Sequence, residues 1–325
     1  MAARPRLLQL CGVTGMALWV TLGSPLTAAA GPRRDARDRS EMRSPRTRVA
    51  AGPRVTIISP PAGASYESGS RVVARFSCGG RGETEEIVSC IGSVPDGHLI
   101  PTARTGIVRF TVTAVERSGD RMTSTVRYRV WRYVDPLKDV RDLTPRRIDL
   151  GVDYAGWGPL LALGRARVTL ASDNDAGPPS CWAISCWPGG GILVYRLLDG
   201  PFAGRYVYVA EHISVTVRAG QTVRAGQQVA ILHAGYPWSE WGWAAGPGPQ
   251  ALAIRDGHRC PCADPGGWSS IEGRNMNALL VRLGAPSGYL QGAVPAQSMP
   301  PGWPRWSAAR RSAAALRRPA PTRPS

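Results

Sequence analysis

Seven cysteines and four histidines hold most of the reactive chemistry open to this 325-residue chain. Cys11 lies in an apolar leader and lacks the small residues that precede a lipidated cysteine. Six cysteines remain, an even number that suits disulfide pairing in an exported chain. Cys78 with Cys90 and Cys181 with Cys186 are close in sequence, and each pair is expected to close a small loop. Cys260 and Cys262 are separated by one residue, which strains a direct bridge; redox lability and pairing to another region both stay open. A cysteine zinc site is disfavoured because no two Cys-x-x-Cys pairs occur. Among the histidines, His98 reads as a surface loop residue, while His233 and His258, in Gly/Pro-rich loops, could each supply a stray ligand. His212 shares a strand face with Tyr206, Tyr208 and Ala210, which sets it either against a ligand or in packing. Trp182, Trp187, Trp238, Trp241 and Trp243 carry rings with polar edges that suit sugar or peptide faces. Packing of the sheet, or shielding of the Cys181–Cys186 loop, is the competing reading.

The length allows two modest domains once unstructured ends are removed. With 43% hydrophobic residues and a mean hydropathy of −0.16, a fully disordered chain and a multi-span membrane protein are both excluded. The net charge of +17 is uneven. Residues 31–54 carry +5, residues 296–325 carry +6 with no acid, and 55–295 only +4. A nucleic-acid-binding core therefore has little support.

Arg4 and Arg6, the apolar run from Leu7 to Leu22, and Ala28-Ala29-Ala30 read as a secretory signal cleaved after Ala30; an uncleaved anchor is the alternative. Residues 31–53 read as a disordered Arg/Pro-rich linker and 291–325 as a tail of the same kind. The tail either contacts anionic envelope polymers or is a solvated end.

From 54 to 133, short alternating strands are cut by Gly/Pro/Ser turns: Val72, Ala74 and Phe76 form one apolar row, Phe110, Val112 and Ala114 a second, and Val126, Tyr128 and Val130 a third. Ser118-Gly119-Asp120 turns between the last two. The pattern predicts a small antiparallel sandwich. Pro60-Pro61-Ala62-Gly63-Ala64-Ser65-Tyr66, Phe76-Ser77-Cys78, Val88-Ser89-Cys90 and Phe110-Thr111-Val112-Thr113-Ala114 resemble the immunoglobulin-like modules of bacterial surface and secreted proteins. The Cys78–Cys90 spacing is too short for the inter-sheet bridge of antibody domains, so a local pin is expected.

After a linker at 134–145, the segment 146–290 predicts strands over 167–170, 192–198, 205–213 and 228–232, with one short closing helix from Asn275 to Leu283 before Gly284. The repeat Val217-Arg218-Ala219-Gly220-Gln221 and Val223-Arg224-Ala225-Gly226-Gln227 places two turns six residues apart. Lipoyl and biotinyl carriers use similar hairpins, but they need a lysine in the turn, and Lys138 is the only lysine of the chain. In order and spacing, Asp149-Leu150-Gly151-Val152-Asp153, Gly190-Gly191-Ile192-Leu193-Val194-Tyr195, Tyr208-Val209-Ala210-Glu211-His212-Ile213-Ser214 and the two turn repeats resemble the lysostaphin-type zinc endopeptidases that cut peptidoglycan cross-bridges. The resemblance implies an all-β chain: an immunoglobulin-like sandwich followed by a peptidase-like sheet with the duplicated hybrid motif fold.

The departures from that family fall on its metal ligands. The opening histidine is replaced by Asp149, only Asp153 is retained, and the closing strand reads Ser239-Glu240-Trp241-Gly242-Trp243-Ala244. His212 stands where the family places a histidine that assists catalysis. Asp149 and Asp153 share a face if the segment is extended. With Glu240 they form a carboxylate set that suits a hard divalent cation rather than zinc, or they are polar remnants of an eroded site.

The leading expectation is an exported protein, secreted or associated with the cell wall. It would bind peptidoglycan, another envelope polymer or a protein without catalysis, through a cleft near Asp149, Asp153, Tyr208, His212, Glu240 and Trp241. No cofactor is expected beyond a divalent cation at Asp149, Asp153 and Glu240, which would be zinc if the family chemistry survives. No specific nucleic acid is expected, and membrane contact only through the export signal. An active metalloendopeptidase with an altered metal site and a polyanion-binding surface protein are the alternatives.

Overall fold

The computed structural model describes residues 52–80, 86–173, 190–256, 268–292, 298–299 and 301–303. The expected secretory leader, nearly all of the expected first linker, most of the expected tail, Cys181, Cys186, Trp182, Trp187, His258, Cys260 and Cys262 lie outside them. The described residues are mostly β, and none of their helices is long and apolar enough to cross a membrane.

The first six strands are β1 (Arg54–Ser59), β2 (Ser65–Glu67), β3 (Arg75–Gly79), β4 (Ile87–Gly92), β5 (Gly106–Glu116) and β6 (Arg121–Trp131). They form two sheets, β1-β3 and β2-β6-β5-β4. Alternation carries the fold: Phe110 and Val112 on β5 and Tyr128 and Val130 on β6 are buried. They pack with Ala74, Ile100, Ile57 and Phe76 into one core. All three expected apolar rows face inward. Cys78 and Cys90 are bonded, but β3 and β4 belong to different sheets, so the bridge ties the sheets together and is not a local pin. Sequence proximity hid this because the chain changes sheets in the short connection between them.

Ten strands make the second sheet: β7 (Arg141–Ile148), β8 (Val152–Leu161), β9 (Ala166–Ser172), β10 (Gly191–Leu197), β11 (Tyr206–Glu211), β12 (Ile213–Val215), β13 (Thr222–Val223), β14 (Gln228–Leu232), β15 (Ser239–Ala244) and β16 (Tyr289–Leu290). Their order is β12-β14-β8-β15-β11-β10-β9-β13, with β7 on β8 and β16 on β7. The sheet curls because β8 serves two partners in succession: Val152–Tyr154 pairs with β15 and Gly158–Leu161 with β14.

The repeated hexamer forms two like turns flanking β13. Gln221 Oε1 accepts from Arg218 N–H at 3.1 Å and Gln227 Oε1 from Arg224 N–H at 3.2 Å. Gly220 and Gly226 sit at φ 85° and 80°, which an L side chain rarely adopts. β7 begins at Arg141, inside the stretch expected as linker, because its residues find ladder partners on β8. Tyr133 also packs into the second core against Phe202, and its hydroxyl donates to Asp199 C=O at 2.7 Å.

Two helices cover this sheet where one was expected: α1 (Leu252–Arg255) and α2 (Ile271–Leu283). α2 ends before Gly284 as expected. It starts four residues earlier than expected, because Ser270 caps it by accepting from Gly273 N–H at 2.8 Å.

Candidate functional site

β7, β8, β11 and β15 converge on a buried group of carboxylates. Asp149 does not continue an extended strand to Asp153; it opens a hairpin connection in which its N–H donates to Gly151 C=O at 3.0 Å. The N-terminus of α2 clamps that turn. Ser269 Oγ donates to Ile148 C=O at 2.7 Å and Ser270 Oγ to Asp149 C=O at 2.6 Å. Contact is so close that a Cβ on Gly273 would lie 2.6 Å from the carbonyl oxygens of Asp149 and Gly151. Glu240 on β15 stands opposite Asp153 on β8 and opposite Ala210 on β11.

Asp149, Asp153 and Glu240 are each at most 3% exposed, and each offers an oxygen within 4.8 Å of the others. Tyr208 Oη donates to Glu240 Oε1 at 2.7 Å. The hairpin thus brings the two aspartates together by folding back.

Sequence reasoning missed two members of the cluster. Arg147 Nε lies 2.8 Å from Asp149 Oδ2 and 2.9 Å from Asp153 Oδ2, at ion-pair distance although its N–H is not aligned for a hydrogen bond. Glu211 is 5% exposed and closes β11 at φ 82°. A Cβ on Gly190 would meet the Glu211 carbonyl oxygen at 2.0 Å. The available signal for Arg147 was its alternate-residue spacing before Asp149; for Glu211 there was none, since an acid beside His212 reads as solvated.

Burial is the main force on Asp149, Asp153 and Glu211. It raises Asp149 against the opposing pull of Arg147. It holds Asp153 well above the usual carboxylate range, with Asp149, Glu240 and Glu211 adding repulsion. Glu211 is pushed up to about 8, by burial first and the Asp149 charge second. Burial and Glu240 together hold the Tyr208 hydroxyl well above its ordinary value. Burial alone would lower Arg147, but Asp149, Asp153, Glu240 and Glu211 outweigh it and keep the guanidinium charged. With Arg147 as the cation facing Asp149 and Asp153, repulsion among the acids adds to burial, and Glu211, at about 8, holds its proton at neutral pH.

The residues present do not fit zinc. The triad offers neither imidazole nor thiolate, and Arg147 stands beside two of its three acids in the place a cation would take. A hard divalent ion suits oxygen donors but would have to displace the guanidinium and shed its waters into a sealed interior.

Three expected site residues are placed differently. Tyr208 and Trp241 are fully buried, on opposite faces of the sheet: Trp241 packs in the core that takes in Met276, Leu279 and Leu280 of α2 and Tyr208 in the one that takes in Ala251 and Ala253, so neither offers a surface to a ligand. His212 stands outside the triad, because Glu211 breaks the strand and turns the chain. Its N–H donates to Trp238 C=O at 3.2 Å and its ring lies 5.4 Å from that of His233. His233 Nε2 is 2.8 Å from Ser214 Oγ. Trp243 is buried against Phe202 and Trp303.

The exposed aromatics lie beside the cluster. The connection from β14 to β15 carries Tyr236, 67% exposed, and Trp238, with Arg146 stacked 4.8 Å over the Trp238 ring. An open groove of about 530 Å³ follows β8 and β14, lined by Trp157, Pro159, Ile231, Leu232 and His233. Trp157 is held by Arg141, 4.5 Å over its ring, and by a hydrogen bond from Nε1 to Asp142 Oδ2 at 3.0 Å.

The chain matches no family model and no curated protein. Among solved structures it is similar to a crystal structure from Pseudomonas aeruginosa assigned as a peptidase M23. The identity is 14%, the match covers 62% of this chain and 86% of that one, and the TM-score is 0.24.

Proposed function

We propose that this chain is an exported envelope protein that binds cell-wall material without cutting it, through a peptidase-like sheet that follows an immunoglobulin-like module. The observation that carries this reading is Arg147 between Asp149 and Asp153: a side-chain cation stands where a hydrolytic zinc would have to polarise a carbonyl and activate water. No residue of the cluster replaces that chemistry, since the acids are sealed from solvent. Recognition falls to Trp157, Tyr236 and Trp238, whose part-exposed rings suit sugar and peptide faces.

The test is to incubate the full chain with purified cell walls, with and without Zn²⁺ or Mn²⁺. Stem peptides are then sought by mass spectrometry and bound protein by sedimentation. Co-sedimentation without peptide release, weakened severalfold by Trp157→Ala or Trp238→Ala, is expected. Release that stops on chelation and on Asp153→Ala would overturn the proposal in favour of an active metalloendopeptidase.

A further inference from the structure

The outer face of the β2-β6-β5-β4 sheet is built unlike the rest of the surface. Its register sets Arg109 on β5 directly opposite Arg127 on β6, with Thr111 opposite Thr125, Thr113 opposite Thr123, and Arg121 opposite Val115 beyond them. Arg109, Arg121 and Arg127 are exposed, and among the described residues none has a carboxylate at ion-pair distance. Like charges directly opposite one another destabilise an antiparallel pair, and among the described residues no carboxylate offsets these. The threonines between them form a hydroxyl ladder, with Thr111 and Thr125 Oγ1 2.9 Å apart and Thr113 and Thr123 Oγ1 3.0 Å apart. Among the described residues, the acid that the strand register places on this face, Glu67, stands opposite Trp131 at the end that meets the second sheet.

We infer that this face is a docking surface for a linear phosphodiester polymer laid along β5 and β6. Guanidinium forks hold phosphate oxygens in a bidentate manner, and hydroxyls add donors between them. Alternate residues of a strand repeat every ~6.8 Å and the stretch from Arg121 to Arg129 runs for about 27 Å, enough for several successive anionic groups of an extended chain. An acidic protein would need an aromatic or apolar anchor at the centre of its patch. Here the centre is a hydroxyl ladder, and the exposed aliphatics only border it: Ile107 is paired with Arg129 at the far end, and Ile91 on the edge strand β4 is paired with Thr113. This surface is separate from the carboxylate cluster and does not depend on the proposed wall-binding groove.

The probe is poly(glycerol phosphate), titrated against the full chain at several salt concentrations. Arg109→Gln/Arg127→Gln is expected to weaken binding about tenfold or more and to lower the slope of log K against log salt by about 1.5, as loss of two phosphate contacts requires. Arg317→Gln/Arg318→Gln removes the same charge from the tail and is expected to change binding far less. Because the substitution relieves repulsion, the melting temperature of the first variant should hold or rise, which separates lost docking from unfolding. Arg109→Lys/Arg127→Lys should recover only part of the affinity. Equal losses in the face and tail variants would overturn the inference, as would preferential binding of poly-glutamate or of phosphatidylglycerol vesicles.

Discussion

Asp149, Asp153, Glu240 and Glu211 gather like charge inside the second sheet, while Arg109 and Arg127 gather it on the open face of the first. The two regions resolve the same conflict in opposite ways. In the buried cluster, low polarisability makes each uncompensated carboxylate expensive. Glu211 is therefore pushed up to about 8, and the Arg147 guanidinium stands at ion-pair distance from Asp149 and Asp153. On the open face, water and salt screen the repulsion, so the two arginines tolerate one another without an ion-pair partner among the described residues. Burial has drawn what resembles a metal centre around one guanidinium, with Asp149 Oδ1 and both Asp153 oxygens left without a hydrogen bond among the described residues, and exposure has left the plainer sandwich open to an external partner.

The largest test of this contrast is Arg147→Met. Removing one member of a buried charge group typically costs about 3–5 kcal/mol. A loss of that size is expected in urea unfolding of the full chain, and a cost below about 1 kcal/mol would mean that the arginine is not the cation the acids depend on. Next is Gly151→Ala, whose Cβ would lie 2.3 Å from the Trp241 carbonyl oxygen. The turn bearing Asp149 would have to shift, and a loss of about 1–3 kcal/mol is expected by the same measurement.

The pH dependence follows from Glu211, whose carboxyl is raised from 4.5 to about 8 on folding. The native state binds more protons than the unfolded chain between those values, so this contribution is complete below about 4.5 and is lost as pH rises through about 8. Thermal melts should therefore show stability falling from pH 5 to pH 8, and Glu211→Gln should flatten that slope. The smallest expected effect lies on the open face. Arg109→Gln should stabilise the sandwich by about 0.2–1 kcal/mol, and a destabilisation would show that an unseen partner compensates the pair.

What the chain order made legible was whatever local pattern controls. Alternation at Phe110, Val112, Tyr128 and Val130 marked one wet and one dry face, and those residues are the core of the first sandwich. The two Ala-Gly-Gln turns fold alike because glycine occupies the left-handed position in each. Gly284 ends α2 where the helical period ends. Asp149, Asp153 and Glu240 were legible as a group only through a resemblance in order and spacing, and the group does assemble.

Tertiary structure decided whatever depends on several chain segments meeting at once. Arg147 joins the acids because β7 folds back on β8, and Glu211 joins them because β11 ends in a left-handed residue pressed against Gly190. Tyr208 and Trp241 lost the exposure their residue types suggested because both faces of the sheet are covered at this point, one by α2 and the other by the segment around Ala251 and Ala253, a burial that alternation along one strand does not encode. The Cys78–Cys90 bridge crosses between sheets, and Arg109 meets Arg127, for the same reason: pairing register is a relation between strands, set by the combined packing of both faces. Sequence determined which faces each strand would present. Only the assembled sheets determined what those faces meet, because burial and charge pairing are properties of neighbours brought from elsewhere in the chain.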